Sequence, residues 1–330
     1  MNELELIQRL TRSLPANAAV VTGAGDDCAV LDLGVPDALV LFKTDAVVEG
    51  VHFTRATPPE KIGRKALARC LSDIAAMAGT PTAALVTIGL PTNFDAEYVT
   101  HIYAGLNTLA EQYHVAIVGG ETTANPERLF ISIALLGTVA RGKPVFRNGA
   151  LAGDAIFVTG ELGGSLAGRH LDFEPRLAEA RWLADHFRVH ALLDLSDGLA
   201  SDLRHILEAS QVGAEIWKSA LPVSRAAKIR ARAPGGPRTD GAGQGPGACE
   251  PGPALPPKPA ALAALTDGED FELLFTVASQ DAVKLLDAWR KKFPHLKLSC
   301  VGKIIAGEGI LLRDQFGAHK LKVHGYVHFP

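Results

Sequence analysis

Neither sign of charge dominates this sequence. Its 330 residues carry 33 Lys and Arg against 36 Asp and Glu, a formal net charge of −3 with pI ≈ 6.4. No basic field argues for nucleic acid, so an anionic substrate has to be held by metal ions or local cations. Cysteine is scarce. Cys28, Cys70, Cys249 and Cys300 form no Cys-x-x-Cys pair and no zinc-type spacing with histidine. That fits inert thiols in a reducing compartment. No apolar run reaches spanning length. The start, MNELELIQRL, places Glu3 and Glu5 where a secretory signal is basic and then apolar. A cytoplasmic protein is expected. The sequence also lacks GxSxG, HExxH and any repeat of solenoid period. No Ser or Cys has an evident His and acid nearby, so nucleophilic hydrolysis has no signature here.

What is present is an ordinary globular composition, 47% hydrophobic and 21% charged, at a length that suits two domains or one large one. Apolar periodicity predicts a helix over 3–14 and strands over 29–33 and 38–44. A helix over 60–78 follows Pro58 and Pro59 and is stopped by Gly79 and Pro81. A strand over 83–89, a helix over 97–112 and strands over 115–118 and 129–139 complete a first unit. A second unit starts near Leu151, with strands over 155–159 and 191–195, a helix over 199–210, the strand FELLFTV and a helix over 281–292. Strands alternating with helices give an α/β or α+β class. Residues 231–259, ARAPGGPRTDGAGQGPGACEPGPALPPKP, are Pro/Gly-rich with almost no large apolar side chain. A flexible surface insertion is expected there.

The chemistry-bearing residues are acids at strand ends and turns: Asp26 and Asp27 in GAGDDCA, Asp45 in KTD, and Asp73 in CLSDIAAM. Glu121 lies in GGETT, Asp194 and Asp197 in DLSDG, and Glu269 and Asp270 in DGEDF. Carboxylates in apolar context are costly unless paired or bound to metal. Hard oxygen donors on several segments are what magnesium takes, with phosphate oxygens completing the shell. Taken singly, an Asp at a strand end is more often a turn or cap residue than a ligand. GTVARGK (137–143) resembles a P-loop but continues into Pro144, where Ser or Thr is needed. GAGDDC fails the dinucleotide pattern at its last glycine.

GAGDDCAVL, KTDAVVEGVHF, KALARCLSDIAAMAG, VGGETT, RNGALAGD, IFVTGELGGSLAG, LDLSDGLASDL, DGEDFELLFTV and the final GYVHF occur in this order. Together they resemble the motif series of the thiamine-monophosphate kinase family, from about Gly23 to Phe329. The resemblance implies the two-domain fold of aminoimidazole ribonucleotide synthetase. Residues 1–145 would bind ATP and magnesium and join strands across a homodimer, and residues 146–330 would form an α/β domain. It implies several Mg2+ ions, ATP as co-substrate and thiamine monophosphate as acceptor. Asp27, Thr44, Asp45, Asp73, Glu121, Asp194 and Asp197 match metal positions. Gly120, Glu121, Arg147 and Ser196 match ATP contacts, and His52, Glu269 and Tyr326 match acceptor contacts. Alone, His52 reads as a surface histidine, Arg147 as a solvated turn residue and Tyr326 as a core aromatic.

Three residues depart from the family pattern. Lys43 stands for a common serine, Glu121 for aspartate, and Asp267 for the first glycine of GGED. Lys43 replaces a magnesium, reaches a phosphate or points to solvent, and Asp267 adds charge near the acceptor end. Two other readings compete. One is an ATP user of the same fold with another phosphorylated acceptor, which a substrate screen separates. The other is a nucleotide-binding protein without turnover.

Overall fold

The computed structural model describes residues 3–232, 256–323 and 325. Its first part holds α1 (Glu3–Thr11), β1 (Val20–Thr22), β2 (Ala29–Leu31), β3 (Ala38–Val48), α2 (Pro59–Ala76), β4 (Thr80–Leu90), α3 (Ala96–Gln112), β5 (Ala116–Ala124) and β6 (Phe130–Ala140). The strands form one sheet in the order β1-β2-β3-β6-β4-β5. Neighbours run antiparallel except β4 and β5, which are parallel and joined through α3.

The second part holds β7 (Ala155–Thr159), α4 (Arg169–Asp172), α5 (Leu177–His186), β8 (Val189–Asp194), α6 (Leu199–Ser210), β9 (Gly213–Trp217), α7 (Arg225–Arg232), α8 (Ala260–Thr266), β10 (Leu273–Val277), α9 (Ala282–Lys292), β11 (Leu298–Ile305), β12 (Gly309–Asp314) and β13 (Gly317–Lys320). Its sheet runs β13-β12-β9-β11-β7-β10-β8. The mixed α/β class is as the sequence predicts.

Helix α2 is the pivot of the structure. Its apolar residues Ile62, Leu67, Leu71 and Ile74 are fully buried, each worth about 1.5–3 kcal/mol of transfer free energy. They belong to one cluster with Phe157, Leu192 and Phe275 of the second part. On one side α2 packs against α3 at van der Waals limits. A Cβ on Gly63 would stand 1.8 Å from the Ile102 carbonyl, and one on Gly105 would stand 1.9 Å from that of Glu60. On other sides α2 meets β3, α4, α5 and β8. Any polar side chain on α2 that faces away from α3 is therefore delivered between the two sheets.

Among the boundaries that differ from expectation, three bear on the acidic motifs and the insertion. Strand β3 continues past Thr44 to Val48, paired with β6 throughout, so Lys43, Thr44 and Asp45 lie within a strand. Strand β5 does not stop at Val118. Its GGETT residues stay in parallel register with β4 up to Leu90↔Ala124. The glycines that look like a break are there for close approach, since a Cβ on Gly120 would sit 1.8 Å from the Val86 carbonyl. Helix α7 extends to Arg232 and Pro256–Pro259 lead into α8, whereas residues 233–255 of the expected insertion lie outside the described residues.

Candidate active site

Asp27, Asp73 and Asp194 come from a loop before β2, the last turns of α2 and the end of β8. All three are buried, and one carboxylate oxygen of each lies within 4.8 Å of the others. Burial pushes Asp73 well above the usual carboxylate range, against the pull of the Lys43 ammonium. Burial, reinforced by Asp27, pushes Asp194 up to about 6, although Ser72 Oγ donates to its Oδ2 at 2.5 Å. Two cations meet the cluster. Lys43 Nζ lies 2.9 Å from Asp73 Oδ1. Arg147 Nη2 lies 2.5 Å from Asp27 Oδ1, and the Arg147 backbone N–H donates to Asp26 at 3.1 Å.

A second constellation adjoins the first. Two and three residues after Asp194, Ser196 and Asp197 line a cavity of about 90 Å3 together with His52, Arg69, Leu166, Gly268 and Glu269. The DGEDF loop is fixed against this segment. Glu269 N–H donates to the Ser196 carbonyl at 2.6 Å and Phe271 N–H to that of Leu195 at 2.7 Å. Glu269 and Phe271 both adopt positive φ, 61° and 50°, a conformation costly for such side chains and kept only where the surroundings enforce it. Phe271 stacks on Phe173 with centroids 4.0 Å apart. Lys65, with no exposed surface, donates to Glu269 Oε2 at 2.7 Å, to the His52 carbonyl at 2.7 Å and meets His170 Nδ1 at 2.8 Å. Burial alone raises Glu269, yet the hydrogen bond from His170 and the Lys65 ammonium hold it at about 2. Burial, with Arg69 adding to it, lowers His52 to about 4. Its Nδ1 accepts from Val48 N–H at 3.1 Å, which leaves the proton of the neutral ring on Nε2.

The other residues singled out in the sequence sit as follows. Asp45 is bound by Arg69 Nε at 2.9 Å rather than joining the triad. Thr44 is on the opposite face of β3, 3.4 Å from Ser132 Oγ. Gly120 and Glu121 lie exposed on β5. Tyr326 lies outside the described residues. The extra charge of Asp267 does not face the cavity. It is buried and held by Arg230 Nη1 at 3.0 Å, Lys258 Nζ at 2.7 Å and the Gly164 N–H at 2.9 Å, while Arg230 Nε also donates to the Pro256 carbonyl at 2.7 Å.

Lys65 and Arg69 were not foreseen. The signal for them is a charged stripe, Lys65, Arg69 and Asp73, at intervals of four in the part of the helix that is otherwise mostly apolar. That spacing puts all three on one face.

Residues 25–139 match the family described as AIR synthase related protein, N-terminal domain. Over 333 residues the chain is 38% identical to thiamine-monophosphate kinase of Rhodopirellula baltica, covering 98% of this chain and 96% of that one. The chain belongs to the thiamine-monophosphate kinase family. With the Bacillus subtilis thiamine-monophosphate kinase it shares 33% identity over 355 residues and the full length of both. Among solved structures, the complex of AaThiL with AMPPCP and TMP superposes with a TM-score of 0.76 at 29% identity, covering 99% of this chain and 97% of that chain. Family membership thus spans both sheets, and the aminoimidazole ribonucleotide synthetase-like fold expected from the motif series is the one observed.

Proposed function

We propose that this chain transfers the γ-phosphate of ATP to the phosphate of thiamine monophosphate, giving thiamine diphosphate and ADP. The observation that carries this reading is the convergence of Asp27, Asp73 and Asp194 next to the segment whose Ser196 and Asp197 line a cavity with Glu269. The donor set suits magnesium. Its atoms are hard carboxylate oxygens on three segments, and a divalent cation relieves the burial that raises Asp73 and Asp194. Magnesium supplies screening between two anionic phosphates.

The chain's own residues do the rest. A terminal oxygen of the acceptor phosphate is ionised near neutral pH, so it attacks the γ-phosphorus in line without a strong general base, and ADP leaves. The Arg147 guanidinium has the planar fork that grips phosphate oxygens in pairs. Glu269, held ionised by His170 and Lys65, lines the cavity proposed for the cationic thiazolium ring, as does His52. Thr44, Asp45, Asp197 and Glu121 belong to the proposed metal set, and Gly120, Glu121 and Ser196 to the proposed ATP contacts.

The same reading divides the chain into domains 1–145 and 146–330. It joins strands of two chains through the first sheet, on which Phe42, Leu85, Val118 and Leu136 are exposed. Free thiols at Cys28, Cys70 and Cys300 suit a cytoplasmic protein, and among the described residues no helix is long and apolar enough to cross a membrane.

Incubation with ATP, Mg2+ and thiamine monophosphate, followed by chromatography, tests the reaction. Thiamine diphosphate and ADP in equal amounts, abolished by chelation, are expected. ATP binding without thiamine diphosphate rejects the acceptor.

A further inference from the structure

Within the carboxylate triad, one position is already taken by the chain's own charge. Lys43 leaves β3 on the same face as Leu41, Asp45 and Val47, toward α2, while Phe42 and Thr44 leave on the other. Its backbone is fixed by pairing with Leu135 of β6. Its side chain is three-quarters buried and its ammonium touches Asp73 at 2.9 Å. With Arg147 on Asp27, three carboxylates face two built-in cations and one formal negative charge is left over.

One divalent ion turns that remainder into a single positive charge, suited to an incoming phosphate. A second would bring the triad and its two cations to three positive charges, with Asp26 and Asp45 the neighbouring acids and Asp45 already bound by Arg69. Without Lys43, two negative charges remain, which two divalent ions and a polyphosphate would accommodate.

We infer that Lys43 is a built-in cation of the triad, whose ammonium holds one edge of Asp73 in place of a divalent ion, so that this chain loads one metal fewer there than its carboxylates alone would take. The inference rests on the metal reading under "Proposed function". It makes Lys43 a positioning residue: it fixes where Asp73 presents its free oxygen and how much charge the metal has to supply. A lysine ammonium is a compact point charge with three donors. It meets one carboxylate oxygen and leaves the other for a metal.

The test uses the full chain and Mn2+ alone, with free Mn2+ counted by electron paramagnetic resonance and no nucleotide or thiamine phosphate present. Lys43→Met and Lys43→Ser are expected each to bind one more Mn2+ per chain than the parent, and Lys43→Arg the parent number. Thermal unfolding establishes that each variant is folded, and Lys43→Ser carries the comparison should Lys43→Met not fold. In the parent, Asp73→Asn is expected to remove one Mn2+, and removal of two overturns the inference without any Lys43 variant. The parent number in both Lys43→Met and Lys43→Ser also overturns it. Absence of Mn2+ binding in every protein overturns it together with the metal part of the proposed function. Equal binding with a working kinase assay overturns the role of Lys43 alone.

Discussion

The Lys65 ammonium lies 2.7 Å from Glu269 Oε2, so a helix lying on the first sheet holds a loop of the second by a buried ion pair. Removing one partner of such a pair strands the other, at about 3–5 kcal/mol. Glu269 keeps His170 at 2.9 Å, which places Lys65→Met at the lower end of that range. Urea unfolding of the variant should show a clearly lower midpoint, with weaker binding of thiamine monophosphate. An unchanged midpoint would mean that the pair does not join the two parts.

The same pair gives a pH signature. Burial lowers Lys65 from 10.5 to about 8, against the pull of Glu269. As pH rises through 8, Lys65 loses its proton, Glu269 loses its partner, and affinity for thiamine monophosphate should fall. Stability should not fall with it. Between about 8 and 10.5 the unfolded chain holds more protons on this residue than the folded chain, so its contribution to stability rises with pH. KM and melting temperature measured across pH 7–10 separate the two effects. Parallel losses would point to unfolding instead.

Asp73→Asn should remove a proposed metal ligand while sparing the fold, because burial disfavours the charge it deletes. Turnover should drop by about two to three orders of magnitude, the scale for losing one preorganised electrostatic partner of a transition state. A cooperative thermal transition should accompany it, showing that the variant is folded although Lys43 loses its partner. Full activity in this variant would sink the phosphoryl-transfer assignment.

Phe42 and Leu136 stand opposite each other on β3 and β6 and are exposed at 45% and 40%. Phe42→Glu should convert a dimer into a monomer in sedimentation equilibrium. A parent chain that sediments as a monomer would reject the proposed pairing.

Much of this was legible in the sequence. Helix α6 begins and ends where its periodicity predicts, and the motifs around Asp27, Asp73 and Asp194 mark the three residues that the fold brings together. The illegible parts share a cause. Gly119 and Gly120 look like a break, yet glycine serves tight sheet packing as readily as a turn. Lys65 and Arg69 look like solvent-facing helix residues, because the partners that justify burying them, Glu269 and Asp45, lie far away in the sequence. The charge of Asp267 looked like a perturbation of the acceptor end for the same reason: its partners Arg230 and Lys258 flank a segment whose composition says nothing about what its two ends touch.

That last clamp has a consequence for how the chain tolerates change. Arg230 and Lys258, one before and one after residues 233–255, meet on a single carboxylate, so the described residues on either side of that segment are tied to one point. For a flexible connection between fixed ends, doubling the length costs only about 0.6 kcal/mol. Changes of length between Arg232 and Pro256 should therefore be tolerated. Codons can be gained or lost there, or a fluorescent reporter spliced in, and Glu269, two residues beyond the anchor, keeps its place.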